Sequence, residues 1–222
     1  MVDRAAERPL GRHVRDAAHE RDDRQRGGAW YGSAVSEPAA RQLTYAEYRA
    51  LEEASDAKHE FVDGEARAMS GGTPEHARLQ ARMTTLLSLA LANKPCEPFS
   101  SELRVHIAAT RRSAYPDVTV ICAQVEHADA DPRAATNPTV IVEVLSPNTE
   151  ADGRGEKWAH YPTIPSLRHY VLVSQHRPRV EVYTRTDLGW HYAEALPGST
   201  LTLSAIDAAI PLDELYASRL GG

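Results

Sequence analysis

Thr139 to Ser146 read TVIVEVLS. Thr139, Val140, Ile141, Val142 and Val144 are β-branched, and consecutive apolar positions leave neither face of the strand for water, so the stretch predicts a strand buried on both faces. Glu143 stands in its middle. A lone carboxylate there loses its hydration at a cost of several kcal/mol unless it is paired or binds a cation. The alternative is a structural bridge to an arginine such as Arg104. Fold and chemistry are therefore read outward from Glu143.

Upstream, YPDVTVICA (115–123) is a second strand, entered through Pro116-Asp117. If it neighbours the first, Asp117 and Glu143 converge at one end of a sheet and offer the oxygen donors that Mg²⁺ or Mn²⁺ takes. FSSELRVHIAA (99–109) precedes it as a further strand, joined through the basic turn TRRSA (110–114). Thr44 with Glu47 has the spacing of a capping box and predicts a helix from Thr44 to Ala54. HEFVDGEARAM (59–69) alternates about Asp63-Gly64 and predicts a tight hairpin. From Pro74 to Asn93, Leu79, Met83, Leu86, Leu87 and Ala90 recur at intervals of three and four, the pattern of an amphipathic helix, with Pro95 closing it.

Downstream, Asp152 to His160 carries helix-forming residues before Tyr161-Pro162 ends the run. RHYVLVSQ (168–175), RVEVYTRT (179–186) and GWHYAEAL (189–196) give three more strands. Helix, hairpin, helix, strands, helix, strands is the order of an α+β domain. Residues 1–40 mix charges of both signs with few large apolar side chains, and are expected to form a flexible extension to a domain over 41–222.

The 222-residue chain has a net charge of −6, which excludes nucleic-acid binding through a broad basic footprint and requires a local patch or a cation. It lacks a run of about 20 apolar residues and an apolar leader segment, so a cytoplasmic protein without a membrane span is expected. Cys96 and Cys122 form no CxxC pair and are expected as reduced, partly buried thiols. Gly71-Gly72 is not followed by GKS/T, and neither GxSxG nor HExxH occurs, so P-loop, serine-hydrolase and zincin chemistry have no support.

Lys157 lies on the helix after the Glu143 strand. A lysine near a scissile phosphate orients the nucleophile and stabilises developing charge. Glu60 and His76 are secondary candidates for the same site. Arg104, Arg111, Arg112 and Arg154, with His106 and Arg168, supply material for a phosphate-binding rim.

The segments HEFVDGEARAMSGGTPEH, FSSELRV, YPDVTVIC, PTVIVEVLSPNTE, RGEKWAHYPTIPSLRHYVLVSQ and RVEVY, in this order over residues 43–217, resemble the Uma family of restriction endonucleases. The resemblance implies the restriction-endonuclease-like PD-(D/E)XK fold, a mixed β-sheet flanked by helices that often forms homodimers. It implies Mg²⁺- or Mn²⁺-dependent hydrolysis of DNA, with Asp117, Glu143 and the Val144 carbonyl holding the metal. The family's usual lysine, two residues after the glutamate, is Leu145 here, which passes that role to Lys157. The family also reads Asp-Arg-Gly before the lysine, whereas this chain has Asp152-Gly153-Arg154-Gly155, displacing the acid by one position. The competing expectation is a catalytically weak or inactive nucleic-acid- or partner-binding module on the same fold.

Overall fold

Thr44 caps the first helix through the predicted capping box: its Oγ1 accepts from the Glu47 backbone N–H at 3.2 Å, while Glu47 Oε2 accepts from the Thr44 N–H at 2.8 Å. The computed structural model describes residues 41–129, 131–146 and 153–218. The extension expected over 1–40 and the displaced Asp152 lie outside these residues.

In chain order the elements are α1 (Tyr45–Ala54), β1 (His59–Val62), β2 (Glu65–Ala68), α2 (Pro74–Leu91), β3 (Cys96–Ser100), β4 (Arg104–Ile107), β5 (Arg112–Ala114), β6 (Val118–Cys122), β7 (His127–Ala128), β8 (Asp131–Ala135) and β9 (Val140–Leu145). There follow α3 (Glu156–His160), β10 (His169–Ser174), β11 (Val180–Thr186), β12 (Gly189–Ala195), β13 (Thr200–Leu203), β14 (Ala208–Pro211) and α4 (Leu212–Tyr216). Among the described residues the strands form two six-stranded mixed sheets and a β13–β14 pair. One large sheet runs β12-β11-β10-β9-β6-β3, with only β9 and β10 parallel; the other runs β2-β1-β5-β4-β8-β7.

Local rules account for the elements that frame the site. The β1–β2 turn puts Asp63 at φ 48° and Gly64 at φ 92°, the positive values a two-residue hairpin turn requires. Thr73 caps α2 by accepting from the His76 N–H at 3.1 Å, with Pro74 in the first turn. Leu79, Met83, Leu87 and Leu91 of α2 pack against Val118, Val120, Val140, Val142 and Val144 on one face of the first sheet. Ile141, Leu145, Tyr170 and Leu172 fill the other face against Tyr161, Ile164 and Leu167. Every residue of β9 is buried, as its composition predicts. Full burial of each large apolar side chain stabilises by about 1.5–3 kcal/mol.

Three local expectations change. Residues 99–109 are not one strand: a turn in which the Leu103 N–H donates to the Ser100 carbonyl at 3.1 Å sends β3 and β4 into different sheets. The predicted turn TRRSA contains β5, entered through Arg111 at φ 50°. The cysteines, expected as free thiols, form a disulfide, because the β3–β6 register sets Cys96 directly opposite Cys122. No helix of the described residues is long and apolar enough to cross a membrane.

Candidate active site

The β6–β9 ladder ends at the pair Val118–Val142. One antiparallel step further, Asp117 falls opposite Glu143, and directly opposed residues project to the same face. Because β6 has ended, the Val144 N–H has no strand partner there and donates instead to Asp117 Oδ2 at 2.7 Å. A strand residue points its N–H and C=O to the same side, so the Val144 carbonyl faces the same gap. The first turns of α2 complete the grip on Asp117. His76 Nε2 lies 3.2 Å from Oδ2, and Gln80, one helical turn on, donates from Nε2 to the Asp117 backbone carbonyl at 2.9 Å.

Glu143 is 6% exposed and has both carboxylate oxygens engaged. Lys157 Nζ donates to Oε2 at 2.9 Å, and the Tyr161 hydroxyl donates to Oε1 at 2.8 Å. Both donors come from the connection between the parallel strands β9 and β10. Such a crossover packs back onto the sheet, and residues four apart share one side of a helical turn, which aims both at one carboxylate. Burial raises the Glu143 carboxyl to about 7, against the opposing pull of Lys157. Burial also drives the Tyr161 hydroxyl well above its ordinary range, which keeps it protonated and able to donate. The hydrogen bond to Asp117 raises His76.

The second sheet supplies the third carboxylate. Phe61 pairs with Ser113 and Val62 with Arg112, so the period of two puts Glu60, Val62 and Arg112 on one face. Glu60 Oε1 lies 3.4 Å from Lys157 Nζ, and Glu60 Oε2 accepts from Arg112 at 3.1 Å. Arg112 also stands 3.4 Å from Glu156 Oε1, which accepts from Arg67 at 2.8 Å. A continuous ionic chain thus joins Glu143, Lys157, Glu60, Arg112, Glu156 and Arg67.

Asp117, Glu143, Lys157, Glu60 and His76 come together in this way, with Arg112 behind Glu60. The other arginines go elsewhere. Arg104 is 5% exposed, donates to Asp131 Oδ2 at 2.6 Å and Tyr115 Oη at 3.1 Å, and lies 3.6 Å from Glu52. Its fork is taken up inside the protein, and among the described residues the side chains that grip Glu143 are Lys157 and Tyr161, not an arginine. Arg154 grips Glu181 with two donors, at 2.6 and 3.2 Å. Arg111 is exposed at the left-handed entry to β5. His106 Nδ1 sits 2.9 Å from the buried Ser113 hydroxyl, and burial lowers its pKa. Sequence reasoning missed Tyr161, Gln80 and Glu156. The four-residue spacing from Lys157 to Tyr161 was a usable signal; Gln80 and Glu156 depended on unseen contacts.

Three carboxylates, Glu60, Asp117 and Glu143, thus surround Lys157 and His76. Their oxygens and the Val144 carbonyl are the hard donors that suit Mg²⁺ or Mn²⁺, and such ions keep several waters rather than demanding a closed protein cage. The donor chemistry fits an open site of this kind. Among the described residues no three His, Cys, Asp or Glu side chains already stand as a metal shell. Lys157 occupies the space between Glu60 and Glu143, so a cation at Glu143 shares that carboxylate with the ammonium.

Comparison with known proteins gives concordant results. A family model, Uma2, described as "Putative restriction endonuclease", matches residues 45–212. Two uncharacterized proteins of Synechocystis sp. are similar: slr1290 is 35% identical over 182 residues, covering 79% of this chain and 92% of its own, and sll1609 is 37% identical over 155 residues, covering 69% and 88%. The crystal structure of a "putative nuclease belonging to DUF820" from Anabaena variabilis superposes with a TM-score of 0.65 at 15% identity, covering 78% of this chain and 97% of that one. At that identity the likeness bears on the fold, which is mixed α+β with sheets flanked by few helices.

Proposed function

Since the chain belongs to the Uma2 family, we propose that it is a divalent-metal-dependent nuclease that hydrolyses phosphodiester bonds in DNA, with Asp117, Glu143 and Lys157 at its centre. The observation that carries this reading is the meeting of Asp117 and Glu143 one step past the end of a ladder, with Lys157 Nζ 2.9 Å from Glu143. Asp117, Glu143 and the Val144 carbonyl would hold Mg²⁺ or Mn²⁺. A cation bound there supplies Lewis acidity, neutralising charge on a phosphate oxygen and acidifying water.

The chain's own groups do the rest. His76, Gln80 and the Val144 N–H hold Asp117 still, so one carboxylate oxygen stays directed at the site. Tyr161 and Lys157 set the plane of the Glu143 carboxylate. The Lys157 ammonium is positioned to stabilise negative charge building on the phosphoryl oxygens, a role worth on the order of 10²–10³ in rate for a preorganised donor. Glu60 holds the ammonium from the other side. Arg112, tied to Glu60 and Glu156, buttresses that arrangement.

A second reading, a binding module without catalysis, draws support from the engagement of both Glu143 oxygens by protein donors and from the net charge of −6. Cleavage of supercoiled and single-stranded DNA with Mg²⁺ or Mn²⁺ separates the two. Metal-dependent nicking by the parent, lost in both Asp117→Ala and Lys157→Ala, is the expected result. No nicking, or nicking that both variants retain, selects the binding module.

A further inference from the structure

The strand registers extend the face that carries Glu143 well beyond the site. Ile141 pairs with Tyr170, Tyr170 with Tyr183, and Tyr183 with Tyr192. Paired residues share a face, as do alternate residues of one strand, so these tyrosines form a row on the face of Glu143. Their rings touch in sequence, at 6.2 Å from Tyr170 to Tyr183 and 5.2 Å from Tyr183 to Tyr192. Trp158, the residue after Lys157, lies 4.3 Å from the Tyr183 ring and 5.3 Å from that of Trp190. Outward of α3 the row opens: Trp158, Tyr183 and Trp190 are half-buried, and Tyr192 on the edge strand β12 is 43% exposed.

The border of this patch is basic although the chain is acidic. Arg154 and Arg179 pair with Glu181, and Arg179 also with Glu194. Arg185 stacks 4.5 Å from the Trp190 ring centroid and feels the charge of Arg168, and Arg177 acts on Glu194. Among the described residues Arg154, Arg179 and Arg185 therefore stand at contiguous half-exposed rings against Glu181 and Glu194, Arg185 being held there by the Leu167, Pro162 and Ile164 carbonyls. Stacked aromatics under an arginine majority match one ligand chemistry: a polyanion whose flat bases are free to stack. A duplex hides its base faces within its own stack and offers this surface only phosphates.

We propose that Trp158, Tyr183, Trp190 and Tyr192, flanked by these arginines, form a stacking platform for the unpaired bases of a single-stranded nucleic acid, leading the strand toward Lys157 and Glu143. The inference rests on the nuclease reading and adds the form of the substrate.

The test uses the full chain without divalent metal, so that nothing is cut. A labelled oligothymidylate of about 20 nucleotides, long enough to span such a groove, is titrated while tryptophan fluorescence and probe anisotropy are followed. An abasic oligomer of equal length and a duplex serve as comparators. Expected are tryptophan quenching with the oligothymidylate, affinity for the abasic strand lower by about tenfold or more, and a similar loss in Tyr192→Ala. Equal affinity for abasic and base-bearing strands, no binding of either, or parent-like binding by Tyr192→Ala overturns the proposal. So does sedimentation showing a dimer that Tyr192→Ala dissociates without any change in oligonucleotide binding, since the face then belongs to a second copy of the chain. The comparison of strands on the parent protein decides the matter even if the variant does not fold. Failure of the nuclease reading is scored separately, by metal-dependent cleavage in the parent and Glu143→Gln, so the two outcomes stay distinguishable.

Discussion

Lys157 Nζ lies 2.9 Å from Glu143 Oε2 across a separation of fourteen residues, and both residues are buried. The parallel β9–β10 pairing makes this contact, because the crossover must return over the face from which Glu143 projects. Two consequences follow for Lys157→Met. Cleavage is expected to fall by about 10²-fold or more, as for loss of a preorganised charged donor. At pH 8 the variant is expected to be less stable by about 3–5 kcal/mol, because the buried Glu143 carboxyl, raised by burial and no longer pulled down by Lys157, must either stay charged without a partner or take up a proton. Urea unfolding at pH 8 beside a plasmid-nicking assay measures both; parent-like stability would mean that Glu143 is solvated or neutral.

Tyr161 is fully buried and cannot touch a nucleic acid, so its contribution runs through Glu143 Oε1. Tyr161→Phe keeps the ring that packs 5.1 Å from Tyr170 and removes only the donor. Outer-shell partners of a ligand typically contribute 10–100-fold in metal affinity. Calorimetric titration with Mn²⁺ is expected to show a loss of about that size with near-parental circular dichroism. Unchanged Mn²⁺ affinity would make the hydroxyl a packing feature alone.

Much of this site was legible before any coordinates, for identifiable reasons. Glu143 stood out because a carboxylate amid five β-branched residues has no cheap structural explanation, and the capping box at Thr44, the Asp63-Gly64 turn and the apolar spacing of α2 are local rules that tertiary contacts did not override. Where partners are remote, sequence failed. Arg104 read as rim material until folding set it against Asp131 and Tyr115, and Ser100 to Leu103 form a turn that composition does not mark. Tyr161 was assigned only to helix termination; its spacing of four from Lys157 put both on one side of a turn, but its partner is a carboxylate eighteen residues back.

Cys96 and Cys122 illustrate the same point with an energetic consequence. Spacing suggested no pairing, yet register fixes them opposite each other and closes a loop with a separation of 26 residues, tying the edge strand β3 to β6. Loop closure of that length restricts the unfolded chain by about 3–4 kcal/mol. Reduction with dithiothreitol, and the Cys96→Ser/Cys122→Ser double variant, are each expected to lower unfolding free energy by that amount. Mass spectrometry before and after reduction verifies the starting state; identical stability of oxidised and reduced protein would show that the bond does not constrain the unfolded chain.

His169 provides the pH dependence of the fold. It is 1% exposed, and its Nε2 accepts from the Ala205 backbone N–H at 3.1 Å. Nδ1 therefore carries the proton and donates to Thr184 Oγ1 at 3.0 Å. Protonating Nε2 breaks the bond to Ala205 and buries a charge, and burial lowers the group from 6.5 to about 4. Between these values the unfolded chain binds a proton that the folded chain refuses, so stability rises with pH. The contribution is complete above 6.5 and is lost as pH falls toward 4, amounting to about 2 kcal/mol at pH 5 from the 1.36 kcal/mol that each pKa unit represents. Urea unfolding of the parent and His169→Gln at pH 7.5 and pH 5 tests this by difference. The parent should lose about 2 kcal/mol more than the variant on acidification, because glutamine cannot take up the proton. Equal losses in both would place the acid sensitivity elsewhere than His169, and not in the paired carboxylates Asp131 and Glu75, whose lowered pKa values give a contribution lost only as pH falls below the ordinary carboxylate range.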